Sequence, residues 1–163
     1  MTVLNTKKLE ELLVFIARHP GVQDLGMTKL WKLVYFIDTQ ALRDLGEPVT
    51  GSEFIKYEHG PVPSRGDKHL RKLSKDGAVS SEQVVVGAYR LNSIKALREP
   101  DLDVFSREEQ RIMHEVCRSQ GRKKAAALSK LSHEEPAWHY ADKLQKLSPA
   151  LMAYGACEDE EGL

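Results

Sequence analysis

The chain has 163 residues, of which 41% are hydrophobic and 29% charged, with 24 basic and 24 acidic side chains. These proportions are typical of a folded domain and exclude an intrinsically disordered chain. No apolar run is longer than six residues, far short of the roughly 20 residues of a membrane span, and the N-terminus lacks a secretory signal pattern. Because the only cysteines are Cys117 and Cys157, we expect no disulfide framework and no thiolate metal site, as in a protein of the reducing cytoplasm.

Hydrophobic periodicity predicts two helices in the first third of the chain. Leucine and isoleucine recur three and four residues apart over residues 6–19, the spacing of an amphipathic helix. A second helix, residues 28–45, is apolar on two adjacent faces, which is typical of a helix buried on several sides. We expect it to form the centre of the core, with Phe36 inside and with Lys32 and Tyr35 half exposed.

The middle of the chain predicts short extended segments around a further helix. Residues 54–57 have the aromatic and β-branched composition of a strand. The Gly60-Pro61-Val62-Pro63 stretch is expected to interrupt regular structure, because each proline restricts φ and lacks an amide donor. A helix is predicted over residues 64–75, and a β-hairpin or three-stranded wing near residues 79–91.

The C-terminal third is predicted to be helical. Ser106 and Glu109 form a capping-box pattern, in which each side chain binds the backbone amide of the other residue. A shorter helix is predicted over residues 123–131. Pro136 favours the first turn of a last helix, which we expect to run to about Leu147.

These elements indicate a mainly α fold of the α+β class: a compact helical domain around the buried helix 28–45, with a small β wing. We expect one domain over residues 1–147, followed by a mobile acidic segment over residues 148–163. Four of the last six residues are Asp or Glu. Without them the remaining chain has 24 basic and 20 acidic side chains, a net charge of about +4.

Three common catalytic or metal-binding patterns are absent from the sequence. It has no Gly-x-Ser-x-Gly turn, no glycine-rich phosphate loop and no His-Glu-x-x-His pair. His133 and His139 are six residues apart, a spacing that places them on different faces of a helix. The sequence therefore predicts a protein that is not an enzyme and that needs no cofactor and no metal.

The predicted helix 64–75 is rich in basic side chains and leads directly into the predicted β wing; they are Arg65, Lys68, His69, Arg71, Lys72 and Lys75. A helix followed by a β wing is the order found in winged-helix proteins, so a DNA-binding transcriptional regulator is one interpretation. Two interrupting aspartates and the neutral overall charge weaken it, and a solvated helix face is the other interpretation. A second basic group at residues 118–124 is interpreted as cations at a helix end, where they are favoured.

The segment from Tyr57 to Pro63 is the least ordinary part of the chain. It combines two prolines with the flat, amphipathic side chains of Tyr57 and His59. Rigid segments with such side chains lose little entropy on binding, which suits protein recognition. The alternative is a structural corner that holds the central helix against the next one, and the sequence leaves both interpretations open.

Four motifs, in order, resemble the signature of the Panacea domain of the SocA-like antitoxin family, over roughly residues 26–140. The motifs are Lys29-Leu30-x-Lys32-Leu33-x-Tyr35-Phe36, Gly46-x-Pro48-Val49-Thr50-Gly51-x-x-Phe54, Gly60-Pro61-Val62-Pro63 and Ser132-His133-x-x-Pro136-Ala137-Trp138. Tyr57 and His59 stand where the family often carries Trp and Tyr.

The resemblance implies a small, mostly helical antitoxin of a bacterial or phage toxin–antitoxin pair, which neutralises a cognate protein toxin by direct contact. The family's namesake also presents its toxin to the ClpXP protease, so ClpX is a further implied partner. The resemblance implies no cofactor, no catalysis and no membrane. We expect the toxin to contact a rigid surface built from the 57–63 segment and neighbouring residues: Lys32, Tyr35, Tyr57, Glu58, His59, Pro61, Val62, Pro63, Arg65 and Trp138.

Overall fold

A computed structural model describes residues 3–154, and these residues form a mainly α fold with two small antiparallel sheets. This confirms the expected fold class. In chain order the elements are α1 (Thr6–Arg18), α2 (Met27–Leu45), β1 (Phe54–Tyr57), β2 (Gly60–Pro63), α3 (Gly66–Lys75), β3 (Val79–Val86), β4 (Tyr89–Ala96), α4 (Arg107–Gln120), α5 (Ala125–His133), α6 (Pro136–His139) and α7 (Pro149–Tyr154), with a 3-10 turn at Leu102–Val104.

Helix α2 is the centre of the fold, as its two apolar faces predict. It packs against α1, α4, α5, α7 and β2, and Leu30, Leu33 and Ile37 are completely buried within it. The helix ends at Gly46, which has the left-handed φ of 83°. Glycine adopts this conformation without steric cost and is the usual residue at such a helix end.

The Gly60–Pro63 stretch forms strand β2, so the expectation that it interrupts regular structure is wrong. Pro61 and Pro63 pair with Lys56 and Phe54 of β1. At those two positions β1 directs its backbone bonds to the other side, towards residues 144–147. Because hydrogen-bonded and non-bonded pairs alternate along an antiparallel ladder, the prolines fall where no amide is needed.

Strands β3 and β4 form a single long hairpin in the predicted region, and it has two strands rather than three. Their pairing runs from Val79 opposite Ala96 to Val86 opposite Tyr89. The base of the hairpin is fixed to the helical body, where the Ile94 amide donates to the Leu25 carbonyl at 2.8 Å. The tip extends away from this base and is largely exposed.

The C-terminal region differs from its prediction in two places. The capping box at the start of α4 is present, but α6 ends at His139 instead of continuing to about Leu147. The reason is that residues 144–147 bond to β1 through their backbone. Residues 149–154, expected to be mobile, form α7, and Met152 is buried against the core. The acidic residues from 158 onward lie outside the described residues.

Asp38 of α2 is completely buried and fixes the loop between α2 and β1. Its Oδ1 accepts from the Thr50 amide at 2.8 Å, and its Oδ2 accepts from the Thr50 hydroxyl at 2.6 Å. Burial raises the pKa of Asp38 to about 6, although the hydrogen bonds from Thr50 act in the opposite direction. The carboxyl therefore binds its proton more tightly in the folded chain than in the unfolded chain.

We expect this shifted pKa to make stability depend on pH between about 4 and 7. A group whose pKa is raised on folding contributes stability that is complete below the unfolded pKa and is lost as pH rises through the folded pKa of about 6. The free energy of unfolding, measured with urea, should therefore fall over this range by up to about 3 kcal/mol through Asp38. Asp38→Asn should remove this dependence, and the exposed control Asp76→Asn should keep it. Parallel profiles for Asp38→Asn and the wild type would contradict the assignment.

Candidate interaction site around the β1–β2 turn

The turn between β1 and β2 presents Tyr57, Glu58 and His59 at the surface. Tyr57 is 44% exposed, and Glu58 and His59 form the two-residue turn between the paired Tyr57 and Gly60. The His59 carbonyl accepts a hydrogen bond from the Ser129 hydroxyl of α5 at 2.8 Å. The side chains of the turn are thus open to a partner, while its backbone is attached to α5.

A stack of side chains fixes β1 to α5 and α6. Lys56 places its Nζ 4.0 Å from the centre of the Trp138 ring and donates to the Ala141 carbonyl at 3.0 Å. Trp138 also stacks on His133, with ring centres 3.8 Å apart. An ammonium over a tryptophan face contributes about 0.5–1 kcal/mol at an exposed site and more when desolvated. Trp138, expected in the binding surface, is half buried between Lys56 and His133.

The pKa of His133, a member of this stack, is lowered. Burial lowers its pKa, and the neighbouring charges of Lys32, Lys56 and His59 lower it further, against a hydrogen bond to the Glu58 backbone. Its Nε2 has no partner within residues 3–154, and neither does Nε1 of Trp138. Each buried polar atom without a partner costs about 1–3 kcal/mol, so this region is not arranged for maximal stability.

Lys32 lies directly beneath the turn and is 1% exposed, so the expectation that it is half exposed is wrong. A Cβ added at Gly60, which has a φ of 129°, would come within 2.9 Å of the Lys32 Nζ and within 2.8 Å of the Ser132 hydroxyl. Only glycine fits at this position. Burial lowers the pKa of Lys32 to about 8, and within the described chain no acidic side chain forms a salt bridge with it.

Tyr35 is also completely buried, and Phe36, expected inside, is the partly exposed neighbour. The Tyr35 hydroxyl lies 3.5 Å from Glu135 Oε1, which also accepts from Arg43 at 2.6 Å. The polar residues of α2 face inward because β2, α5 and α7 cover that side of the helix. Lys32 and Tyr35 therefore position the surrounding elements and do not present a surface to a partner.

The remaining predicted site residues are not all brought together. Pro61 and Pro63 are buried in β2, and Val62 is half buried. Arg65 is exposed but lies beyond the far end of β2, a strand that spans about 10 Å. The structure therefore concentrates the accessible candidates in Tyr57, Glu58 and His59, and it places Arg65 apart from them.

A groove beside the turn was not found from the sequence. It has a volume of about 770 Å³ and lies between the β3–β4 tip, the start of α2 and the start of α5, with His59 in its wall. Arg122, Lys123 and Lys124 line it. These cations follow the C-terminus of α4, the helix end that favours them as the sequence predicts. They also precede the N-terminus of α5, where the helix dipole disfavours positive charge. Cations placed directly before a helix start were the feature of the sequence that could have indicated this groove.

The basic face expected on α3 is only partly free. His69 is buried and contacts Glu10 of α1 at 2.8 Å, and Lys72 donates to the same carboxylate at 3.0 Å. Both residues fix α3 to α1, His69 from a buried position and Lys72 from the exposed surface of the helix. The arrangement gives no support to α3 as a DNA-recognition helix, because part of the basic cluster is used inside the fold.

Within residues 3–154, no set of three or more His, Cys, Asp or Glu side chains is arranged to hold a metal ion. In the same part of the chain, no helix combines the length and the apolar character needed to cross a membrane.

Comparison with known families gives a match over most of the chain. A family model described as "Antitoxin SocA-like, Panacea domain" matches residues 30–139, a range that contains every candidate site residue from Lys32 to Trp138. Searches of curated proteins and of solved structures give no significant match.

We expect Lys32→Met to stabilise the protein at neutral pH. A lysine whose pKa is lowered on folding, here to about 8, binds its proton less tightly in the folded chain, so stability rises as pH increases from about 8 towards the unfolded value. Methionine keeps the aliphatic packing and removes the buried charge, which should raise the free energy of unfolding at pH 7 by roughly 1–3 kcal/mol and abolish this alkaline rise. Denaturant titrations at pH 7, 8, 9 and 10 test this, with the exposed Lys130→Met as control. A less stable Lys32→Met protein at pH 7 would show that the charge is compensated.

Proposed function

The chain belongs to the SocA-like antitoxin family with a Panacea domain, and from this premise we propose that it is the antitoxin of a toxin–antitoxin pair and neutralises its cognate protein toxin by direct binding. Family membership supports a role in binding a partner rather than in turning over a substrate. The toxin partner follows from the family at this general level. The residues that contact the toxin, and the fate of the bound toxin, are our further proposals.

One observation carries the choice of surface: the Tyr57–His59 turn is exposed although its backbone is fixed on both sides. Ser129 holds the His59 carbonyl, and Lys32 fills the space beneath Gly60. A surface that is ordered before binding avoids the cost of ordering it in the complex, about 0.5–1.5 kcal/mol for each flexible side chain. The contacts around the turn thus support its use as a recognition element.

The proposed mechanism is occlusion of the working surface of the toxin. A stable protein interface buries about 800 Å² on each partner, and a few central aromatic or charged residues carry most of the binding energy. Tyr57 is the accessible aromatic of the turn, with Glu58 and His59 beside it. A two-residue turn cannot supply this area alone, so we propose that adjacent surfaces take part. Arg65 joins the interface only where the toxin extends along β2.

Delivery of the toxin to ClpXP is a finer proposal that rests on the family's namesake. An adaptor must hold the toxin and ClpX at the same time, which requires two separate surfaces. An occluding antitoxin leaves the toxin intact in the complex, whereas an adaptor shortens its lifetime. The two mechanisms therefore differ in one measurable quantity, the half-life of the toxin.

We expect the double variant Tyr57→Ala, His59→Asp to lose protection when it is co-expressed with the product of the adjacent gene. Removal of the exposed ring and addition of a negative charge should weaken binding by roughly tenfold or more, about 1.4 kcal/mol or above. Tyr154→Ala is the matched control, since Tyr154 is 75% exposed on α7, and it should protect fully. Growth assays and calorimetry with purified proteins measure the two effects. A correctly folded double variant that still protects would exclude the turn as the contact surface.

Arg65→Glu tests the extent of the same surface. Because Arg65 lies beyond the far end of β2, we expect only a small loss of affinity from this variant. A loss as large as that of the turn variant would show that the interface runs along the whole strand.

A degradation assay tests the adaptor proposal. With purified ClpXP and ATP, the toxin should disappear faster when this chain is added in substoichiometric amounts, while the chain itself persists. An unchanged toxin half-life in the presence of a formed complex would leave occlusion as the mechanism and exclude delivery.

A further inference from the structure

The groove next to the turn combines positive charge with apolar side chains. Arg122, Lys123 and Lys124 form its basic edge, and Lys29 lies in its wall. Asp24 is the acidic side chain lining it. We call this feature, of about 770 Å³, the basic groove.

Two helices begin in the wall of the basic groove, and neither start is neutralised. The N-caps of α2 and α5 are Gly26 and Lys124, neither of which makes a side-chain capping bond, and neither helix has an acidic residue in its first turn. A helix start carries about half a positive charge and is stabilised by nearby anions. Here the sequence supplies further cations that reinforce the positive charge of the groove, and within residues 3–154 the acidic side chain lining it is Asp24.

Apolar side chains also line the groove. Tyr89 at the tip of the β3–β4 hairpin is 57% exposed, and Met27 at the start of α2 is 43% exposed. Leu91 packs against the start of α2, where a Cβ added at Gly26 would come within 2.7 Å of it. Tyr89 and Leu91 of the hairpin thus line the same groove as the basic residues 122–124.

We propose that the basic groove binds an acidic segment of the toxin that also inserts an apolar side chain against Tyr89 and Met27. This inference deepens the proposed function and rests on it. The basic edge pairs with carboxylates, and the apolar side buries a hydrophobic side chain, which is the mixed character of protein interfaces. Because His59 belongs to both the turn and the groove, one toxin covers both surfaces and reaches the area that the turn alone lacks.

A protein segment fits this groove better than a nucleic acid. Nucleic acid binding depends on many phosphate contacts along an extended positive surface. Here the cations are concentrated at one edge, and the wall includes Asp24 and exposed apolar side chains. The chain as a whole has a formal net charge of zero, which provides no general attraction for DNA.

Charge reversal tests the proposal in the full-length protein. Lys123→Glu with Lys124→Glu places acids at the start of α5, where they favour the helix, so folding is retained. Lys68→Glu with Lys75→Glu makes the same change in charge on the exposed side of α3. Calorimetry with the purified product of the adjacent gene, at about 50 mM and about 300 mM salt, gives the affinities. We expect the groove variant to bind roughly tenfold or more weakly at low salt and to lose most of the salt dependence, and the α3 variant to change less than about twofold.

Two further measurements test the apolar residues of the basic groove and identify the segment that binds there. Tyr89→Ser should weaken toxin binding without changing its salt dependence. A photo-crosslinking residue at Ala126, an exposed position in the groove, should label a toxin segment rich in Asp and Glu. Labelling of a basic segment would overturn the proposal.

Two further outcomes separate this proposal from the proposed function. If the groove variant binds the toxin as tightly as the wild type, the inference is wrong while the antitoxin role stands. If in addition the groove variant loses binding to duplex DNA from its own promoter region, the groove is a nucleic acid site. If the wild-type chain binds no toxin at all, the proposed function fails and this inference fails with it.

Discussion

Three polar side chains on one face of the buried helix α2 hold the fold together around the site. Lys32, Tyr35 and Asp38 are spaced three residues apart and therefore lie on the same side of the helix. Each contacts a different part of the chain: Lys32 lies beneath the β1–β2 turn, Tyr35 faces Glu135, and Asp38 binds Thr50. Lys32 and Gly60, which meet beneath the turn, belong to two of the four motifs that resemble the family.

This arrangement is costly in stability, because buried polar and charged groups lose their hydration. Within residues 3–154, no carboxylate forms a salt bridge with the ammonium of Lys32, and buried nitrogens of His133 and Trp138 lack partners. A well-packed apolar core would be more stable than such a cluster. The function of the cluster is to hold the exposed β1–β2 turn against α5 and α6 in a single geometry. A binding protein gains from this, since the ordering cost of its surface is met on folding and not on association.

The turn and the basic groove meet at His59, and they have different chemistry. The turn offers an aromatic ring on a rigid backbone, and the groove offers cations beside an apolar wall. In a binding site, a few strong central contacts provide most of the affinity. Charged residues around them increase the rate of association. Antitoxins must capture a harmful protein quickly and hold it, and both properties serve that task.

The sequence by itself determined the features that depend on local interactions. The periodicity of apolar residues was sufficient for α1 and α2, the capping box for the start of α4, and the four ordered motifs for the family. Of the site, the exposed turn was found, because prolines and aromatic residues are local signals. Only the tertiary structure decided that Gly60–Pro63 is a strand, that Lys32 and Tyr35 are buried, and that Arg122–Lys124 line a groove. Each of these depends on a segment far away in the chain. The strand depends on the backbone of residues 144–147, the burial of Lys32 and Tyr35 on the cover provided by α5 and α7, and the groove on the β3–β4 tip. The sequence around a polar residue of a helix does not indicate whether a distant element will cover that face of the helix.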